Sequence, residues 1–150
     1  MPNAQGFDYY YGTLGANDNG RVVFHENNQE VGMTEDMASL SRLYTDKAIE
    51  YLREKRQPEI PFVLYVAHTM MHTIIDASEP YLGTTEGGLY GDAVRELDAE
   101  TGRLLETLDA LELSGDTLVI FTSDNGPWNQ LKYTSKKKGH PPGAIFWGSS

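Results

Sequence analysis

Two short apolar runs, FVLYVA at residues 62–67 and TLVIFT at 117–122, constrain the fold of this chain more than any other feature. Each is continuous rather than alternating, rich in β-branched and aromatic types, and followed by polar, turn-forming residues. A strand buried on both faces of a mostly parallel sheet requires such a run. Between the runs, Val94, Leu97, Thr101, Leu104, Leu105, Leu108 and Leu111 recur by threes and fours. That spacing predicts a long amphipathic helix with Glu96, Glu100 and Glu106 largely off its apolar stripe. Ahead of the first run, Leu40, Leu43, Tyr44, Ala48, Tyr51 and Leu52 predict another helix, capped by Thr34, with Glu35 and Asp36 at its positive end, and stopped by the basic, proline-bearing stretch 55–61. Helix, strand, helix, strand is the order of an α/β sheet with right-handed crossovers. The fold class is therefore read as α/β, part of a mostly parallel sheet flanked by helices.

The rest of the chain is less periodic. Residues 6–12 (GFDYYYG) and 17–20 (NDNG) are dense in aromatics, glycine and turn formers, and read as irregular backbone pinned by tyrosines. From Leu131 onward lysine, glycine and proline are spread around a single apolar cluster at 144–147, which reads as loop. With 39% apolar and 23% charged residues a packed core is expected. The formal net charge of −10 repels phosphate backbones, and Lys136, Lys137 and Lys138 form too short a run to reverse this, so no nucleic-acid partner is expected. The absence of cysteine excludes disulfides and thiolate metal sites. Residues 1–6 have neither the basic nor the apolar region of a secretory signal, and no apolar run is long enough to span a bilayer. No compartment is assigned.

In open α/β sheets ligands bind outside the carboxyl ends of the strands. The loops that begin at His68 and at Ser123 can therefore face one crevice if their strands are neighbours. Asp124 and Asn125 offer a carboxylate beside an amide oxygen, a hard donor set that suits Ca²⁺ or Mg²⁺; the same residues, followed by Gly126 and Pro127, also read as a plain turn. His68 and His72 can bind a metal when neutral, donate to an anionic ester when charged, or simply be hydrogen-bonded within a loop. His25 and His140 receive no role. The chain has no Gly-X-Ser-X-Gly elbow, Walker loop or dinucleotide fingerprint.

Four strings, GFDYYYG (6–12), PFVLYVAHTMMHT (61–73), GLYGD (88–92) and DTLVIFTSDNGPW (116–128), occur in an order that resembles the arylsulfatases of the sulfatase family, in the alkaline phosphatase superfamily. The resemblance implies a divalent-metal site, usually calcium, with Asp124 and Asn125 among its ligands, and it makes His72 the histidine that hydrogen-bonds the sulfate ester. It carries no role to His68. Where the family loop usually reads Met-Pro-His-Thr-Pro, this chain has Met71 and Ile74 in place of the prolines, which bears on how rigidly His72 is aimed. The family's nucleophile is a formylglycine made from Cys or Ser in a Cys/Ser-X-Pro-Ser-Arg motif, and no such motif occurs here. That motif, an aspartate pair of the metal shell and an ester-binding Gly-Lys-Trp-His-type segment are expected upstream, and a Gly-Pro-Leu-Arg-type stretch downstream.

Residues 1–150 are accordingly expected to be part of a sulfatase catalytic domain, acting on a sulfate-ester small molecule or glycan only within the full-length enzyme and inactive as an isolated chain. Two other readings remain open: part of a related phosphomonoester or phosphonate-ester hydrolase, or a non-catalytic metal-binding remnant.

Overall fold

Three short strands in a row, β1 (Tyr11–Thr13), β2 (Val22–Glu26) and β3 (Gln29–Thr34), form an antiparallel meander in which β2 is central. The computed structural model describes residues 1–124. β2 and β3 meet through a two-residue connection, so Glu26 pairs with Gln29 and Val22 with Thr34. Asn27 takes φ 53°, a left-handed conformation that asparagine tolerates better than most side chains. Its Oδ1 accepts from Tyr10 N and from Asn3 Nδ2, both at 3.1 Å, and its own N–H donates to Tyr10 O at 2.8 Å. One turn residue thus ties the chain entering β1 to the hairpin. Val22 and Phe24 project from β2 into the core, while residues 29–33 of β3 stay exposed.

Helix α1 (Leu40–Glu50) continues through a π turn at Tyr51–Lys55. Leu40, Tyr44, Ala48 and Leu52 recur every fourth residue and are all buried. Leu40 and Tyr44 join Val22, Phe24, Met37 and Met70 in one cluster, with Tyr11, Leu43 and Ile74 packed against it. The π turn places Lys55 Nζ 2.9 Å from Glu26 Oε1, 2.9 Å from Tyr9 Oη and 2.8 Å from Glu50 Oε1, so the end of the helix is fastened to the meander. These ion pairs are partly solvated and each is worth only about 0–1 kcal/mol; the apolar cluster carries the packing.

Helix α2 (Gly88–Ala110) buries Leu89 and Ala93, which pack with Ala77 and with the partly covered Met71, Ile75, Tyr81 and Leu82 in a second cluster. It also buries a row of acids. Asp92, 2% exposed, accepts from Gly83 N (2.8 Å), Thr85 N (3.0 Å) and Thr85 Oγ1 (2.9 Å). Three donors satisfy a carboxylate that would otherwise be costly to bury. Gly91 permits this contact, because a Cβ there would collide with Thr85 Oγ1. Glu96 Oε2 accepts from Ser78 N at 2.8 Å, and Glu100 pairs with Arg103 (2.5 Å), which reaches across to Asp46 of α1 (2.6 Å).

Several expectations need correction. The sheet is antiparallel and lies within residues 11–34, and of the stretch 6–12 expected to be irregular only Tyr11 and Gly12 enter it. Thr34 ends β3 rather than capping a helix; its Oγ1 accepts from Asp36 N (3.0 Å), and α1 begins only after a short turn at Met37–Ser39. Residues 62–67 and 117–122 are in neither helix nor strand, and among the described residues neither run is in a sheet ladder. An apolar run becomes a strand only when a neighbour takes its N–H and C=O groups. Val63 and Tyr65 are 81% and 78% exposed, and Leu118 and Ile120 85% and 77%. Along α2, Glu96 and Glu100 are buried whereas Val94 and Leu105 of the expected apolar stripe are exposed. Backbone donors and Arg103 let this face accommodate acids beside its buried leucines, Leu89 and Leu108. The chain is thus a mixed α/β unit of a small antiparallel sheet and two helices.

Candidate functional site

The segment between residues 67 and 78 is held at both ends by the two apolar clusters. Met70, 5% exposed, belongs to the cluster of β2 and α1, and Ala77, fully buried, to that of α2. Thr73 is buried and Ile74 packs on the first cluster. Between these anchors the His72 side chain remains 53% exposed. The sequence therefore buries its apolar residues around one polar ring and leaves that ring facing water.

His72 Nδ1 lies 2.7 Å from Thr73 O. A carbonyl oxygen only accepts, so Nδ1 carries the proton of this hydrogen bond. The neutral ring then offers a lone pair at Nε2, and the charged ring offers a second N–H there. Asp18 Oδ1 stands 3.7 Å from the same Nδ1 and accepts from Thr73 Oγ1 at 3.2 Å. Asp18 sits in a tight turn, Asn17–Asn19, closed by Gly20 at φ 65°. Asn17, fully buried, donates from Nδ2 to Thr69 O at 3.4 Å.

His68 is placed differently. Its ring is edge-on to Tyr44, with centroids 6.4 Å apart, and among the described residues its buried Nδ1 has no partner. Burial pushes the imidazole below its ordinary range and pushes the Tyr44 phenol up to about 12, so it favours the neutral form of both.

Asp124 is exposed two residues beyond the run 117–122, and Asn125 lies outside the described residues. The carboxylate of Asp124 suits a hard cation by its chemistry. Ca²⁺ takes about six to eight oxygen ligands, however. Among the described residues no group of three or more histidines and carboxylates converges. The described residues thus offer Asp124 as a single exposed carboxylate and do not by themselves form a metal shell. A groove of about 540 Å³ between α1 and α2, lined by Asp36, Arg42, Tyr81, Glu96, Glu100 and Arg103 among others, contains neither His72 nor Asp124. No helix among the described residues is long and apolar enough to cross a membrane.

The contact of His72 with Asp18 was not legible in the sequence. Asn-Asp-Asn-Gly marks a turn, but nothing in the string shows that it meets a loop more than fifty residues away.

A model described as Sulfatase matches residues 1–146. N-acetylgalactosamine-6-sulfatase of Canis lupus familiaris is 43% identical over 89 residues, which make up 59% of this chain and 17% of that protein. Steryl-sulfatase of Homo sapiens is 39% identical, over 59% of this chain and 15% of its own length. Arylsulfatase G of Mus musculus is 26% identical, over 86% of this chain and 31% of its own length. The chain thus spans well under half the length of these relatives. The crystal structure of Ps i-CgsB in complex with k-i-k-neocarrahexaose superimposes with a TM-score of 0.63 at 22% identity, over 75% of this chain and 31% of that one, a likeness of fold.

Proposed function

The chain belongs to the sulfatase family, and from that premise we propose that residues 1–150 are part of a catalytic domain that hydrolyses sulfate esters, with His72 as the residue that binds the ester. The observation that supports this most is the exposed His72 ring on a loop anchored from both sides, its Nδ1 already engaged by Thr73 O. With Nδ1 so engaged, the only ring atom left to meet an ester is Nε2. In the charged ring Nε2–H donates to the bridging ester oxygen. As the sulfuryl group passes to the nucleophile of the full-length enzyme and its bond to that oxygen breaks, the oxygen takes the Nε2 proton and leaves as the alcohol, with the ring left neutral and protonated at Nδ1.

Asp124 and Asn125 are proposed as ligands of a calcium ion, with magnesium the alternative. When bound, such an ion supplies positive charge to the sulfate oxygens. The nucleophile of the reading is a formylglycine, for which no residue of this cysteine-free chain is assigned.

The test is a comparison of para-nitrophenyl sulfate with para-nitrophenyl phosphate as substrates of the full-length protein. Preferential, chelator-sensitive hydrolysis of the sulfate is expected; preference for the phosphate would overturn the reading in favour of a phosphoesterase. Asp124→Ala is expected to raise the Ca²⁺ concentration for half-maximal activity by about tenfold or more, in line with the sensitivity of metal sites to their immediate surroundings. Calcium titration of the activity checks this, and an unchanged midpoint removes Asp124 from the site.

A further inference from the structure

The turn at residues 17–20 touches the His72 loop at three successive points. Asn17 Nδ2 donates to Thr69 O at 3.4 Å, on the near side of His72. Asp18 Oδ1 accepts from Thr73 Oγ1 at 3.2 Å and stands 3.7 Å from His72 Nδ1. Gly20 packs against Ile74 so closely that a Cβ would lie 3.1 Å from Ile74 Cδ1, on the far side. Asn17 is fully buried and Thr73 is 9% exposed, so two of the three points are fixed within the packed interior. We propose that this turn is a positioning clamp for His72, in which Asp18 is the positioning residue that keeps the Nδ1 face of the ring turned inward and Nε2 turned outward. The proposal rests on the reading of His72 as the ester-binding residue.

The chemistry follows from what each atom can do. Thr73 O and Asp18 Oδ1 are both acceptors on the Nδ1 side of the ring. A ring flipped about its Cβ–Cγ bond would turn this side away and set a C–H against two oxygens, losing the hydrogen bond. Thr73 Oγ1 has one proton to give and spends it on Asp18, which fixes the carboxylate relative to the residue next to His72. Asp18 and His72 are 60% and 53% exposed in their side chains, so their attraction adds little to folding stability. Loss of Asp18 therefore shows as loss of aim rather than loss of fold.

The experiment uses the full-length protein with para-nitrophenyl sulfate, together with nitrogen NMR of ring-labelled histidine. Asp18→Ala is expected to lower kcat by about tenfold or more, as displaced catalytic groups do, with KM and Tm little changed. The His72 ring-nitrogen signals of this variant are expected to shift away from the form protonated at Nδ1. Asp18→Asn, whose amide oxygen still accepts from Thr73 Oγ1, is expected to recover most of the activity. Full kcat with unchanged His72 signals in Asp18→Ala overturns the clamp, as does an Asn variant as poor as the Ala variant. His72→Ala, run in parallel, separates the two levels: if it too is fully active the ester-binding reading itself fails, whereas an inactive His72→Ala beside a normal Asp18→Ala rejects only the clamp.

Discussion

Replacement of His72 by alanine in the full-length protein is expected to lower kcat for sulfate-ester hydrolysis by about 10²–10³-fold, the range over which one positioned proton donor contributes to a transition state. The fold should survive, because the side chain is half exposed and its one short contact is to the carbonyl of the next residue. The anchors on either side, Met70 and Ala77, are untouched by the change. His72→Gln keeps an N–H donor but has no proton to release at neutral pH, so it should restore ester binding without restoring turnover. Steady-state kinetics with an aryl sulfate, beside a melting curve, decide the matter. A fall in kcat of less than about threefold would mean that no proton donor of this strength acts through His72.

Replacement of Leu40 by alanine is the change with the largest expected effect on stability, about 2–5 kcal/mol for a fully buried leucine in a tight cluster. Leu40 is 0% exposed and is surrounded by Val22, Phe24, Met37, Tyr44 and Met70. The loss combines the transfer free energy of the missing carbons with the cavity they leave between a strand, a helix and the His72 loop. Since Met70 lies two residues before His72 and shares this cluster, the loop should loosen as well. Faster amide exchange at residues 69–74 and a lower denaturation midpoint are the expected readings. An unchanged midpoint would show that the cluster collapses around the gap and does not hold the loop.

The parts of this fold that follow from local spacing were legible, and those that depend on distant partners were not. Leu40, Tyr44, Ala48 and Leu52 announce a helical face by their four-residue period, and that face is buried. Val22 and Phe24 alternate as a half-buried strand should, but three-residue β1 and the glycine-bearing β3 give too few repeats to be distinguished from loop. Thr34 has the right type for a helix cap; pairing with Val22 decides its conformation instead. The acids of α2 look solvent-facing by type, and only the structure shows the donors that draw them inward, Gly83 N and Thr85 N for Asp92 and Ser78 N for Glu96. At the site, His72 could be singled out from its string, whereas Asp18 could not, because its role exists only through a contact between separate turns. Asn125 and the lysine run 136–138 lie outside the described residues.

The order of β1, β2 and β3 along the chain is also their order in the sheet, with a two-residue hairpin between the last two. Its pairings join residues close in sequence, and such contacts close early because little chain entropy is lost in forming them. On a ribosome the meander can thus assemble as soon as Thr34 clears the exit tunnel. The helix bearing Leu40 and Tyr44 then emerges onto a surface that already exists, while the run at 117–122 arrives some eighty residues later.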